Sequence, residues 1–91
     1  MMDMQQDIDR AEQARSIIDH PLFAEAFEEL EMAYIEAWRN SRQSEQDDRE
    51  RIYMALNILV AVRLHLEGVI AGGALARADL EMISQKDFKL N

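Results

Sequence analysis

The sequence of 91 residues has no cysteine, one proline, three glycines and few aromatic residues. Without cysteine, disulfide bonds, thiolate metal sites and a cysteine nucleophile are excluded, and a reducing cytoplasm is the expected compartment. Alanine, leucine, isoleucine, glutamate and arginine are abundant, and most of them favour helices. Glycine and proline are scarce, so the sequence contains few residues typical of turns between strands. The composition therefore predicts an all-α protein that is held together by packing.

Positive charge is also scarce, because ten lysine and arginine residues face 18 aspartate and glutamate residues. The resulting net charge of -8 opposes non-specific attraction to nucleic acid or to an anionic membrane. The opening segment, MMDMQQDIDRAEQ, contains acidic residues and no apolar stretch. It therefore predicts neither a signal peptide nor a transit peptide, and we expect the protein to be cytoplasmic.

A long apolar run without charge is missing as well. The most apolar segment, NILVAVRLHLEGVIAGG, has five apolar residues in succession and is then interrupted by Arg63, His65 and Glu67. A membrane span needs about 20 predominantly apolar residues, and charged residues near its centre are costly to insert. The sequence therefore favours a protein-facing helix over a membrane span.

Two N-terminal segments have apolar residues at helical spacing. The first predicts a short helix at about 7–18, with apolar residues at Ile8, Ala11, Ala14, Ile17 and Ile18. Asp19, His20 and Pro21 then interrupt the pattern, and Pro21 suits the first turn of a new helix. That second helix is predicted over 21–41, with an apolar line made of Phe23, Phe27, Leu30, Tyr34 and Trp38.

A third helix is predicted over 45–71. Ser44 is the candidate N-cap, and the acidic residues that follow it suit the first helical turn. Gly72 or Gly73 is the predicted C-cap, since glycine readily adopts the left-handed conformation at that position. The segment 75–83 is expected to add a short helix, and 84–91 reads as a tail.

The short connection between the second and third helices predicts an antiparallel helical hairpin. Such a hairpin would pair Trp38 with Tyr53, Tyr34 with Leu56, Leu30 with Leu59, Phe27 with Arg63 and Phe23 with Leu66. The third helix is apolar on more sides than one partner helix can cover, so we expect a homo-oligomeric helical bundle or ring. The predicted hairpin and oligomer interface consists of Phe23, Phe27, Leu30, Tyr34, Trp38, Ile52, Leu56, Leu59, Val62, Arg63, Leu66, Val69 and Ile70.

Arg63 interrupts this apolar line. Its aliphatic stem is expected to pack while its guanidinium reaches outward or pairs with Glu28 or Glu31. The alternative is an ion pair between subunits that fixes their register. Unless the guanidinium reaches outward into solvent, a carboxylate is expected close to Arg63, either Glu28 or Glu31 or one of another subunit.

The sequence has no convincing catalytic, metal or cofactor motif, so we expect a single helical domain, 1–91, that is not an enzyme. His20 precedes a helix, and His65 does not share a helical face with Glu67. The basic residues Arg39, Arg42, Arg49 and Arg51 lie near the predicted hairpin turn and are candidates for contact with nucleic acid. Acidic residues in the same region favour local neutralisation instead, namely Glu45, Asp47, Asp48 and Glu50.

Three stretches between about residues 14 and 81 carry a family resemblance: HPLFAEAFEELEMAYIEAWRNS, DRERIYMALNILVAVRLHLEGVI and GGALARADLE. The chain resembles small helical proteins of tailed bacteriophages and prophages. Within that group it is most similar in character to small terminase subunits, which form rings, recognise viral DNA and regulate the large packaging subunit.

That resemblance implies an oligomeric adaptor for viral DNA packaging, in the cytoplasm of an infected or lysogenic bacterium. The large terminase subunit or another phage protein would be its partner. The sequence lacks a clear basic N-terminal helix-turn-helix, so an oligomeric adaptor is favoured over direct DNA recognition, which stays open. The alternatives are a phage regulatory or host-protein-binding module, and a minor virion or head-assembly protein.

Overall fold

The described part of the chain, residues 3–89, folds into three α-helices. A computed structural model describes the backbone of residues 3–89 and the side chains of residues 3–84. The helices are α1 (Met4–Ile18), α2 (Pro21–Asn40) and α3 (Gln46–Lys89), and no strand occurs within residues 3–89. The predicted all-α class is therefore confirmed.

The starts of α1 and α2 follow from local hydrogen bonds. The Asp3 carboxylate accepts a bond from the amide of Gln5 at 3.4 Å, and α1 begins at Met4, one turn earlier than predicted. His20 occupies the N-cap of α2, where its Nδ1 accepts from the amide of Leu22 at 3.1 Å. Pro21 stands in the first turn as predicted, because the amide it lacks would have no helical partner there.

The connection between α2 and α3 ends one residue later than predicted. The amide of Arg49 bonds the carbonyl oxygen of Glu45, and the helix itself begins at Gln46. Glu45 therefore holds the capping position that the sequence assigned to Ser44, since the cap residue supplies the first carbonyl acceptor. Asp47 and Asp48 occupy the first turn of α3, where negative charge interacts favourably with the helix dipole.

The predicted end of α3 at Gly72 or Gly73 is wrong. α3 continues through both glycines to Lys89, and neither has the positive φ angle of a C-cap. The segment predicted as a separate helix, 75–83, is part of α3. Of the predicted tail, residues 84–89 also belong to α3, whereas residues 90 and 91 lie outside the described residues.

The length of α3 changes the expected hairpin. With a rise of about 1.5 Å per residue, the 44 residues of α3 extend over about 66 Å, whereas the 20 residues of α2 extend over about 30 Å. α2 can therefore cover less than half of α3. The third helix is extended and does not form a compact hairpin of two matched helices.

Internal contacts divide the chain into two units. The first unit consists of α1 and the part of α3 from His65 onward, and it contains the buried apolar residues of the described chain, Ile8, Ala14 and Ala76. The second unit, Asp19–Leu64, contains α2 and the first part of α3, and none of its residues is fully buried. Packing in the second unit is therefore only partial.

Candidate interaction surface

Two arginine–aromatic contacts join α2 to the first part of α3. The Arg49 guanidinium carbon lies 4.1 Å from the centre of the Trp38 ring, and that of Arg63 lies 5.6 Å from the centre of the Phe27 ring. The contact nearer the connecting turn involves the later residue of α2 and the earlier residue of α3. This order is that of antiparallel helices, and it confirms the predicted neighbourhood of Phe27 and Arg63.

A small cavity of about 280 Å³ lies beside the Arg49–Trp38 contact. Trp38 and Tyr53 both line it, as their predicted pairing requires. The Arg49 Nε atom is buried and has no hydrogen-bond acceptor among the described residues. The Trp38 ring face partly compensates that charge, because an aromatic face attracts a guanidinium. The other three predicted pairs stay predictions.

Of the two arrangements predicted for the Arg63 guanidinium within the chain, the ion pair with Glu28 or Glu31 is absent from the described residues, and the side chain is exposed. Its contact is with the Phe27 ring. The physical reason is that the aliphatic part of the Arg63 side chain packs along apolar surface, while its planar guanidinium stacks on an aromatic ring. An ion pair with another subunit stays a prediction.

The predicted interface residues differ in burial. Phe23, Phe27, Tyr34, Ile52, Leu56 and Leu59 of the second unit are half-buried, as are Leu66, Val69 and Ile70 of the first unit. Leu30, Trp38, Val62 and Arg63 are exposed. The face of α3 predicted to pack is thus the face that loses most solvent contact, although the single chain does not bury it completely.

A flank of α3 next to its α2-facing side is also apolar, and it is exposed. Tyr53, Val60 and Leu64 keep 60%, 49% and 60% of their accessible surface. They follow one another at seven and four residues, which places them on one helical line with Asn57 between them. We call Tyr53, Asn57, Val60 and Leu64 the outer seam of α3. The neighbouring exposed residues Met54 and Ile58 widen the apolar surface.

The total exposed area is large for a chain of this mass. The accessible surface is 7535 Å², whereas a folded monomer of 10.6 kDa exposes about 5500 Å². The excess of about 2000 Å² exceeds the roughly 800 Å² that each partner buries in an interface of standard size. This excess is polar and apolar surface together, so only the contiguous apolar part of it is a candidate binding surface.

In the first unit, α1 approaches α3 closely through small residues. A Cβ atom built on Gly73 would overlap the Cβ of Ala11 and would lie 3.0 Å from the carbonyl oxygen of Asp7. Gly73 is therefore required for the close approach of two backbones. Sequence reasoning missed this role, although the spacing of small residues, Ala11 with Ala14 and Gly73 with Ala76, was a signal for it.

An exposed ion pair flanks this close approach. Arg77 Nη2 lies 3.3 Å from Glu12 Oε1. Both side chains are more than half exposed, so the pair contributes little to stability. It borders a cavity of about 190 Å³ whose lining includes Ile8, Ile70 and Ala74.

The four arginines proposed for nucleic-acid contact are not a free basic patch. Arg49 stacks on Trp38, and Arg42 Nε lies 3.9 Å from Glu45 Oε1. Arg51 lines an open cavity together with Glu45, Asp47 and Asp48. Three of the four are thus next to an aromatic ring or to carboxylates, and their contact with nucleic acid stays a prediction.

The described residues include no group of three or more histidine, aspartate or glutamate side chains placed to hold a metal ion. His20 accepts a hydrogen bond at the start of α2, and His65 is exposed on α3. Within Gln46–Ser84, α3 is long and apolar enough to cross a membrane by length and composition alone. That property does not distinguish a membrane segment from a helix that other protein surfaces cover.

Comparison of the chain with protein-family models, with curated proteins and with solved structures finds no significant match. None of these comparisons supports the resemblance to phage proteins, which is carried by the sequence patterns alone.

Proposed function

We propose that this chain is a non-enzymatic helical self-assembly module that serves as an adaptor in bacteriophage DNA packaging, in the manner of a small terminase subunit. The observation that carries the self-assembly part is the exposed apolar flank of α3, beside its contacts with α2. A hairpin formed by α2 and the first part of α3 is the unit that associates. Copies of the chain form a closed homo-oligomer through α3.

Energetics support association. No large side chain is completely buried within the described residues, and the buried apolar residues number only three. A chain of this size has little surface to bury by itself, and small domains without disulfides or metals often depend on oligomerisation. Association would then contribute to folding stability, which would rise with protein concentration.

Charge distribution favours protein contacts over DNA contacts. The chain is strongly acidic, and three of its four arginines near the α2–α3 turn are next to Trp38 or to carboxylates. The adaptor role therefore requires no direct DNA binding, and the large terminase subunit is the proposed partner. The packaging part of the proposal derives its support from the resemblance to small helical phage proteins.

Measurement of mass in solution tests the self-assembly proposal. Sedimentation equilibrium or native mass spectrometry of the wild type should give one closed oligomer at micromolar concentration. Leu64→Glu should dissociate it, because the substitution places a charge on the outer seam. Leu22→Glu, at an equally exposed position on α2, is the matched control and should keep the wild-type mass. A folded monomer that persists to high concentration would refute self-assembly.

A second experiment tests the packaging role. The oligomer should stimulate the ATPase of the large terminase subunit from the same phage or prophage, and Leu64→Glu should not. An intact oligomer without any effect on that ATPase would leave self-assembly in place and refute the packaging role.

Substituting Arg39, Arg42, Arg49 and Arg51 together tests the DNA alternative. If this variant binds DNA as strongly as the wild type does, and the binding does not depend on salt, these four residues are excluded as the DNA contact.

Membrane association is the second candidate, because α3 has the length and apolar composition of a membrane segment. Arg63, His65 and Glu67 lie within its apolar part, where each would be costly to insert. Flotation with phosphatidylcholine vesicles distinguishes the two candidates. Self-assembly predicts that the protein stays in the dense fraction, and co-flotation that resists high salt would favour the membrane.

A further inference from the structure

All three glycines of the chain lie in one short segment of α3, residues 68–73. Gly73 is explained by the close approach of α1, because a Cβ atom there would overlap Ala11. Gly68 and Gly72 have no such explanation, since none of the described residues lies within 4 Å of a Cβ built on either of them. Neither has a positive φ angle. Packing and backbone conformation therefore both permit alanine at these two positions.

Two glycines at open positions weaken the helix around them. Each makes local opening roughly 2–5-fold more favourable than alanine would, because glycine gains more backbone freedom when the helix opens. Gly68 and Gly72 act on the same turn, since regular α-helical geometry pairs the amide of residue 72 with the carbonyl oxygen of residue 68. No side chain on either residue shields this hydrogen bond from water.

The turns of α3 just before these glycines are poorly packed. Residues 60–65 are all exposed, and this is the longest exposed run among the described side chains of α3. The division between the two units falls within this run, between Leu64 and His65. Most helical stability in a protein comes from packing, so a helix with few buried side chains opens more easily. Weak packing and weak helix propensity thus follow one another along residues 60–72.

We propose that α3 has an internal opening segment, residues 60–72, which loses its helical hydrogen bonds locally while the turns on both sides stay folded. The turns before it are held by α2, and those after it are held by α1. Each unit can then open and close without the other. This inference goes beyond the proposed function and does not depend on it.

Open glycines four residues apart have one alternative use, which is close contact with a second helix, because glycine lets two backbones approach. The two uses predict opposite effects of alanine. If the glycines favour opening, alanine slows opening and leaves association unchanged. If they form a contact between chains, alanine weakens association.

Hydrogen exchange of the full-length wild type, read amide by amide at one protein concentration, tests the opening segment. Amides of residues 64–72 should exchange at least about fivefold faster than those of residues 50–58 and 77–80. An uninterrupted helix frays from its ends, so its slowest amides lie in the middle. Protection that is highest through residues 64–72 would overturn the proposal.

The double variant Gly68→Ala/Gly72→Ala tests the cause. It should slow exchange of residues 64–72 by roughly 5–30-fold and leave the exchange of α1 unchanged. Asn57→Ala is the matched control, because it raises helix propensity at an exposed position of α3 outside the opening segment. It should leave the exchange of residues 64–72 unchanged. Equal slowing along all of α3 in the double variant would show that the helix opens only as a whole and would overturn the proposal.

Mass measurement of the double variant separates opening from contact between chains. Its association should match that of the wild type at every concentration. Association weakened about tenfold or more would assign the two glycines to a helix contact and overturn the proposal. A monomeric wild type would refute self-assembly, and the exchange measurements would still decide whether the opening segment exists.

Discussion

The structure determines whether replacing Gly73 with alanine stabilises or destabilises the protein. In an open helix, replacing glycine with alanine stabilises by about 1 kcal/mol, because glycine loses more backbone freedom on folding. At Gly73, however, the added methyl group would overlap Ala11 Cβ and approach the Asp7 carbonyl oxygen at 3.0 Å. Both neighbours are attached to the backbone of α1 and cannot rotate away.

The magnitude follows from these opposing effects. Overpacking costs about 1–3 kcal/mol, and the severity of this overlap places it in the upper half of that range. After subtraction of the helix preference, Gly73→Ala should destabilise the protein by about 1–2 kcal/mol. For a domain of this size, that corresponds to a fall in melting temperature of roughly 4–16 °C.

Circular dichroism during thermal and urea unfolding, at one fixed protein concentration, measures this change. Gly72→Ala is the matched control, because nothing lies within 4 Å of the added methyl group, and it should stabilise by up to about 1 kcal/mol. Hydrogen exchange should show lost protection in the amides of α1 for Gly73→Ala alone. Equal stabilisation by the two substitutions would refute the close approach of α1 and α3.

Two further predictions concern single contacts of α2. Arg49→Ala should destabilise the protein by about 0.5–2 kcal/mol and alter the fluorescence of Trp38, because it removes the guanidinium from the ring. Arg42→Ala is the control, because its ion pair is exposed, and it should change stability by less than about 0.5 kcal/mol. Equal effects of the two substitutions would contradict the stacking of Arg49 on Trp38. His20→Ala should cost about 1 kcal/mol through loss of the N-cap, whereas His20→Asn should retain most of it in urea unfolding, and two equally destabilised variants would contradict the capping role.

Local chemistry made the helices themselves predictable. α2 begins at Pro21 and α3 begins at Gln46. Both starts follow from proline, capping and acidic residues, whose effects act within one helical turn. The contact of Phe27 with Arg63 could also be foreseen, because a short connection between helices determines which residues come close.

The role of the glycines could not be read from local signals. In sequence, Gly73 resembles a glycine that ends a helix. Its role is instead set by its close packing against α1, a segment more than 50 residues earlier in the sequence. The carboxylate partner expected for the Arg63 guanidinium, Glu28 or Glu31, is not found for a related reason. Sequence spacing indicates which residues share a face, whereas the choice between a ring and a carboxylate depends on side-chain geometry.

The measurement that tests the central claim most directly is the mass of the wild-type protein in solution across a wide range of concentrations. Sedimentation equilibrium should give one closed oligomer at micromolar concentration, with a melting temperature that rises as concentration increases. A stable, folded monomer whose melting temperature is independent of concentration would contradict the claim that the exposed side of α3 binds another copy of the chain.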